Sequence, residues 1–141
     1  MSSYKNNNYS FLNSIHHILV NHGKIPETLS PQDFYSDMGI IMKNDDKIMK
    51  GGNIKKICKN IIIDHEDNKI QNVVKGVNVL LIERDCNNDF DRDYFENMIG
   101  GDNMIIMKDG NFYTPLYAIN ERTKERTGLF TKEEMDSIME D

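Results

Sequence analysis

Two short apolar runs, residues 104–107 and 112–119, flank Lys108-Asp109-Gly110-Asn111, and an Asp-Gly pair between such runs is the strongest short-range signal for an antiparallel hairpin. Aspartate and glycine tolerate the backbone angles that reverse a chain within a few residues. Pro115 lies inside the second run. Having no N–H to donate to a ladder, it must turn its nitrogen away from the partner strand or sit at a bulge.

Elsewhere the periodicity predicts helices first and strands mostly afterwards. Phe11, Leu12, Ile15, Ile18 and Leu19 fall at helical spacing over residues 10–22, and Gly23 with Pro26 supplies the stop. Ser30-Pro31-Gln32-Asp33 sets a cap residue before proline at the first helical position, with an acid three after the cap. That predicts a helix over 31–38 with Phe34, Tyr35 and Met38 on its apolar face, and Gly39 weakens its continuation. Asn44-Asp45-Asp46 reads as a turn. Gly51-Gly52-Asn53 breaks the chain before Ile54, Ile57, Cys58 and Ile61, a third short helix. The pattern then turns to β over 61–63, 69–74 and 77–83, and residues 91–98 read as a short helix ended by Gly100-Gly101. Thr131-Lys132-Glu133-Glu134 is a capping box for a C-terminal helix. The expected fold class is α+β, a small, largely antiparallel sheet with helices packed around it.

A chain of 141 residues fits one domain, 1–141, able to bury a core without disulfide or metal staples. No apolar run is long enough to span a membrane and the N-terminus has no signal-peptide core, so the expected setting is cytoplasmic. Cys58 and Cys86 have no paired spacing, in keeping with reduced thiols there. The net charge of −6 argues against nucleic acid as a partner, since such domains use a basic excess to displace counterions from phosphates. Lys43, Lys47, Lys50, Lys55, Lys56 and Lys59 cluster, and residues 83–102 are strongly acidic; both read as solvated surface.

Asn7-Asn8-Tyr9-Ser10-Phe11-Leu12-Asn13-Ser14-Ile15 is a polar turn that runs into the first helix with a hydroxyl residue at the junction. A helix N-terminus holds unpaired N–H groups and about half a positive charge, so a thiolate or oxyanion beside it is stabilised. Cysteine proteases place their nucleophile there. Serine is equally a favoured N-cap, whose oxygen accepts from an N–H one turn in and contributes about 1 kcal/mol.

The stretch resembles the Asp-Gly-Asn-Cys-Phe-Leu block that opens the OTU (ovarian tumour) family of cysteine deubiquitinases, which have a papain-like fold. Gly51-Gly52-Asn53-Ile54 is similar to that family's Gly-Gly turn, Val77-Asn78-Val79-Leu80-Leu81-Ile82 to its central strand, and Gly110-Asn111-Phe112-Tyr113 to the end of the hairpin that carries its catalytic histidine. The four pieces follow in family order over residues 7–119. The resemblance sets Asn7 at the aspartate that opens the block, Ser10 at the nucleophilic cysteine, Phe112 at the histidine and Thr114 at the residue that orients it. A phenylalanine neither makes a thiolate nor takes a hydroxyl proton, and free serine is a very poor nucleophile at neutral pH. What the resemblance implies is an OTU-like domain without OTU chemistry, similar to degenerate domains in proteins of large DNA viruses. Its groove would be edged by Tyr9, Ser10, Asn111, Phe112 and Tyr113, and its partners would be other proteins, ubiquitin or a viral complex among them.

Other chemistry has weaker support. His16, His17 and His22 lie along or just past the helix that Ser10 opens, and their side chains point away from its N-terminus; His65 lies in a loop. Asp85, Asn87, Asp89, Asp91, Asp93 and Glu96 stand at positions 1, 3, 5, 7, 9 and 12 of a calcium loop, but Phe90 holds the position where the sharp turn needs glycine. No zinc spacing, phosphate loop or cofactor motif is present, so neither metal nor cofactor is expected. Two function classes follow: a non-catalytic protein-binding or structural module, and a hydrolase that uses Ser10 with an unrecognised base or at an engineered Cys-to-Ser position.

Overall fold

The first helix, α1 (Ser10–Asn21), buries Phe11, Leu12, Ile15, Ile18 and Leu19 completely, the stripe that its spacing predicts. The computed structural model describes residues 9–50, 52–64, 73–84, 89–97 and 102–139. Helix α2 (Pro31–Asp37) starts as expected, with the Ser30 hydroxyl accepting from Asp33 N–H at 3.1 Å and Pro31 in the first position. It ends at Gly39, whose φ of +73° lets the chain turn back so that Ile40 N–H reaches Tyr35 O at 2.8 Å. Tyr35 is fully buried, and its hydroxyl donates to the Leu12 carbonyl at 2.6 Å, tying α2 to α1.

Asn44-Asp45-Asp46 is more than a turn. Asn44 is the N-cap of a single helical turn, α3 (Asp45–Ile48), its side chain accepting from Lys47 N–H at 3.0 Å. Helix α4 (Asn53–Asn60) follows and buries Ile54, Ile57 and Cys58. Burial pushes the Cys58 thiol up to about 12, which leaves it an apolar side chain rather than a reactive one. Strands β1 (Ile62–Asp64) and β2 (Val73–Lys75) pair antiparallel as a small ribbon.

The main sheet has four strands in the order β4-β3-β5-β6: β3 (Asn78–Arg84), β4 (Phe90–Phe95), β5 (Asn103–Asp109) and β6 (Phe112–Pro115). Its central pair, β3 and β5, is parallel and the two outer pairings are antiparallel, so the sheet is mixed. The hairpin β5–β6 closes in register Asp109↔Phe112, which makes Gly110-Asn111 the two-residue loop, one step later than an Asp-Gly centre. Gly110 has φ +64° while Asn111 stays negative, the combination of a type II′ turn.

Of residues 91–98, read as helix, 91–95 instead belong to β4, and Met98 lies outside the described residues. The aromatic residues Phe90 and Tyr94 alternate toward the second core, and Asn97 fastens the strand's end through its N–H to Asn78 Oδ1 at 2.7 Å and its amide to Val77 O at 2.9 Å. The second apolar run is likewise divided. β6 stops at Pro115, and a two-residue strand β7 (Ala118–Ile119) pairs with β8 (Arg126–Thr127) in a hairpin of its own.

The sheet is apolar on both faces. Val79, Leu81, Met104, Ile106 and Tyr113 face α1 to α4, and Leu80, Ile82 and Ile105 face Phe130 and Met135 around the last helix, α5 (Lys132–Met139). That double cover explains why β3 reads as a continuous apolar run instead of an alternation. The capping box of α5 closes both ways, Glu134 N–H to Thr131 Oγ1 and Thr131 N–H to Glu134 Oε1, each at 3.1 Å. Among the described residues no helix is long and apolar enough to cross a membrane.

Candidate functional site at the start of the first helix

Helix α1 begins without a cap of its own. Tyr9 occupies the N-cap position and makes no side-chain hydrogen bond to the helix, and Ser10 is already the first helical residue. The missing acceptor comes from Asp45, which takes Ser10 N–H on Oδ2 at 3.3 Å and Phe11 N–H on Oδ1 at 2.9 Å. A carboxylate against the positive end of a helix dipole, accepting from its free N–H groups, is a favourable pairing for both. Ser10 as the N-cap is therefore corrected: the cap is a side chain 35 residues away in sequence.

The Ser10 hydroxyl is occupied otherwise. It donates to Asp45 Oδ2 at 2.6 Å and accepts the backbone N–H of Tyr113 at 2.7 Å. One helical turn on, Ser14 Oγ donates to Ser10 O at 2.7 Å and lies 3.2 Å from Tyr113 O. Residues four apart share a helix face, so one face of α1 presents two hydroxyls to one residue of β6. Tyr113 sits where the outer edge of β6 turns its N–H and C=O away from β5, groups that would otherwise template another strand. Ser10 satisfies the N–H, and the Ser14 hydroxyl, whose one proton is shared with Ser10 O, lies within reach of the C=O. The same alternation turns the nitrogen of Pro115 outward, as its missing N–H requires, while Leu116 N–H points inward to Ile105 O at 2.9 Å.

The two stretches singled out in the sequence thus meet, α1's start against the β5–β6 hairpin, but not through the paired side chains. Tyr113 packs on the α1 face, its ring 5.8 Å from Phe11 at 89°, so strand alternation gives Phe112 and Thr114 to the opposite face of the sheet. Phe112 does not face Ser10. Asn111 is exposed in the turn, Tyr9 is at the surface beside the helix start, and Asn7 lies outside the described residues.

No described histidine serves Ser10. His16 Nε2 lies 2.7 Å from Leu29 O, His17 Nδ1 lies 2.6 Å from the Tyr117 hydroxyl, and His22 Nε2 accepts Gly128 N–H at 2.8 Å; His65 lies outside the described residues. Ser10 is 0% exposed. A hydroxyl with no accessible surface, its proton on a carboxylate and its lone pair on a backbone N–H, has no path to a substrate carbonyl.

Asp91 and Asp93 stand on the extended strand β4, not in a loop that wraps a cation or on a helix, and Asp85 and Asn87 lie outside the described residues. Among the described residues no group of three or more histidine, cysteine, aspartate or glutamate side chains is placed to hold a metal ion.

Beside this network, between α3–α4 and the sheet, runs a groove of about 340 Å3 whose wall includes Ile48 and Ile54 and whose floor includes Leu81, Phe95 and Tyr113. Sequence reasoning missed Asp45, the residue that organises the site. The signal available was the acidic pair after Asn44, but nothing local ties it to a helix start so far away.

Comparison of the chain with protein families, with curated proteins and with solved structures finds no match.

Proposed function

We propose that the chain is a non-catalytic OTU-like domain that acts as a protein-binding or structural module, of the kind that large DNA viruses carry. The observation that carries the non-catalytic reading is Ser10: fully buried, hydrogen-bonded to Asp45 and to Tyr113 N–H, and bonded to no imidazole among the described residues. The position of a nucleophile is here a structural joint. Support for the OTU-like ancestry is the order of the four motifs together with the meeting of the α1 start and the β5–β6 hairpin. Against a residue-by-residue equivalence stands Phe112, on the other face of the sheet. The ancestry therefore rests on the arrangement of elements.

Incubation with ubiquitin chains and with a ubiquitin ester tests this. The wild-type protein and Ser10→Ala should both be at background, and Ser10→Cys should stay there because position 10 is fully buried and no described imidazole reaches it. Turnover by the wild type that disappears in Ser10→Ala would overturn the reading.

A further inference from the structure

The groove beside Tyr113 is apolar at its base and acidic at its rim. Glu83, Asp93 and Lys108 complete its lining, and Lys108 Nζ is already paired with Glu83 Oε1 at 3.1 Å. Asp93 has no ionic or hydrogen-bond partner among the described residues and is exposed. The lysines of α3 and α4 do not line the groove.

Tyr113 supplies an independent observation. Its side chain is only 6% exposed and lines the groove, and its hydroxyl makes no hydrogen bond to a described residue, which leaves it open to water. Burial, and after it the nearby carboxylates of Asp45, Glu83 and Asp46, push this phenol up to about 12, so it remains a neutral donor and acceptor. Glu83 is common to the lining of the groove and to the carboxylates near this hydroxyl.

We infer that this groove receives an arginine side chain from an extended segment of a partner protein, with the guanidinium between Asp93, Glu83 and the Tyr113 hydroxyl and the aliphatic stem on Leu81 and Ile54. The volume is at the small end of the range of about 300–1,000 Å3 in which pockets enclose a ligand, so it takes one long side chain with its neighbours, not the face of a domain. The sign of the rim selects a cation. Arginine fits better than lysine because its planar fork serves several oxygens at once and its flat face lies well on the aromatic floor of Phe95 and Tyr113.

This rests on the reading of the chain as a binding module, and its test needs no turnover. The full-length protein is titrated with a fluorescent peptide of alternating valine and arginine, with the same peptide carrying citrulline for arginine, and with spermidine as competitor. The arginine peptide should bind and the citrulline peptide should be weaker by about tenfold or more, the loss expected when one charge-assisted contact is removed. Asp93→Asn and Glu83→Gln should each reduce affinity and their combination should abolish the arginine preference. Tyr113→Phe should weaken binding severalfold with the melting temperature unchanged, since the hydroxyl holds nothing in the free protein.

Equal binding of the two peptides, or the same preference in the carboxylate variants, overturns the proposal. So does spermidine competing as well as the arginine peptide, which would make this a small-cation site. Ester turnover lost in Ser10→Ala would instead overturn the module reading alone.

Discussion

Asp45 and Ser10 form the joint on which three elements depend, and their hydrogen bonds differ in what their loss exposes. Ser10→Ala removes the acceptor of Tyr113 N–H, a backbone donor in the interior, and one donor to Asp45. An unsatisfied buried donor costs more than a lost surface cap, so Ser10→Ala should lower stability by about 2 kcal/mol rather than the ~1 kcal/mol of an ordinary N-cap. Asp45→Ala leaves the Ser10 and Phe11 N–H groups and the Ser10 hydroxyl without their acceptor, and should cost about 3 kcal/mol. Because both act on one network, the double variant should cost clearly less than the sum. Urea unfolding of the four proteins checks this; strict additivity would mean that the two residues are not coupled.

At the level of elements, local rules hold where the interaction is local. The Ser30 cap, the Gly110 turn and the Thr131/Glu134 box each join residues within four positions, and each forms. Thr131→Ala should therefore destabilise α5 by about 1 kcal/mol, read as a lower urea midpoint with an unchanged slope. β4 marks the opposite case. Its charged run suggested a helix, but β3 is a buried central strand that needs a neighbour on each side, and the pairing from Val79↔Phe95 to Arg84↔Phe90 satisfies one of them. The demand of a partner strand overrode local propensity. The hairpin β7–β8 docks on α1 more closely: Gly128 sits where a Cβ would lie 2.7 Å from the Tyr117 ring, itself held by His17 and under the Arg126 guanidinium at 5.0 Å. Gly128→Ala should lower the melting temperature because that ring is not free to move aside.

For the whole molecule the histidines set the response to acid. Burial holds His16, His17 and His22 below the ordinary 6.5, with Arg126 and then His16 adding to the effect at His17, Lys24 adding to it at His22, and Asp102 opposing it there. The geometry gives the reason. Protonated His22 can no longer accept Gly128 N–H, and protonated His16 carries a second N–H, on Nδ1, into a buried site with no partner for it among the described residues. An unfolded chain takes up these protons near 6.5 and the folded chain only at lower pH, so stability is full above that value and falls as pH drops through it toward the lowered values. Urea midpoints should decline from about pH 7.5 to about pH 5, above the range where carboxylates titrate. His16→Gln keeps a donor for Leu29 O but does not titrate, and should flatten part of that decline. A flat wild-type profile over this window would sink the assignment.

Sequence alone determined the α+β class, the extent of α1, α2, α4 and α5, the hairpin β5–β6 and the outward nitrogen of Pro115, because each follows from spacing, caps or turn chemistry within a few residues. It also marked the two stretches that meet at the site. Tertiary structure decided the rest: the parallel pairing of β3 with β5, the extended edge strand over 90–95 where a helix was expected, Asp45 as the cap of α1, and which face of β6 each side chain takes. These depend on what lies opposite in space, on a helix start that lacks an acceptor, a central strand that lacks a neighbour and an edge strand whose outward N–H and C=O must be satisfied. Contacts of that kind join residues tens of positions apart, where no local pattern records them.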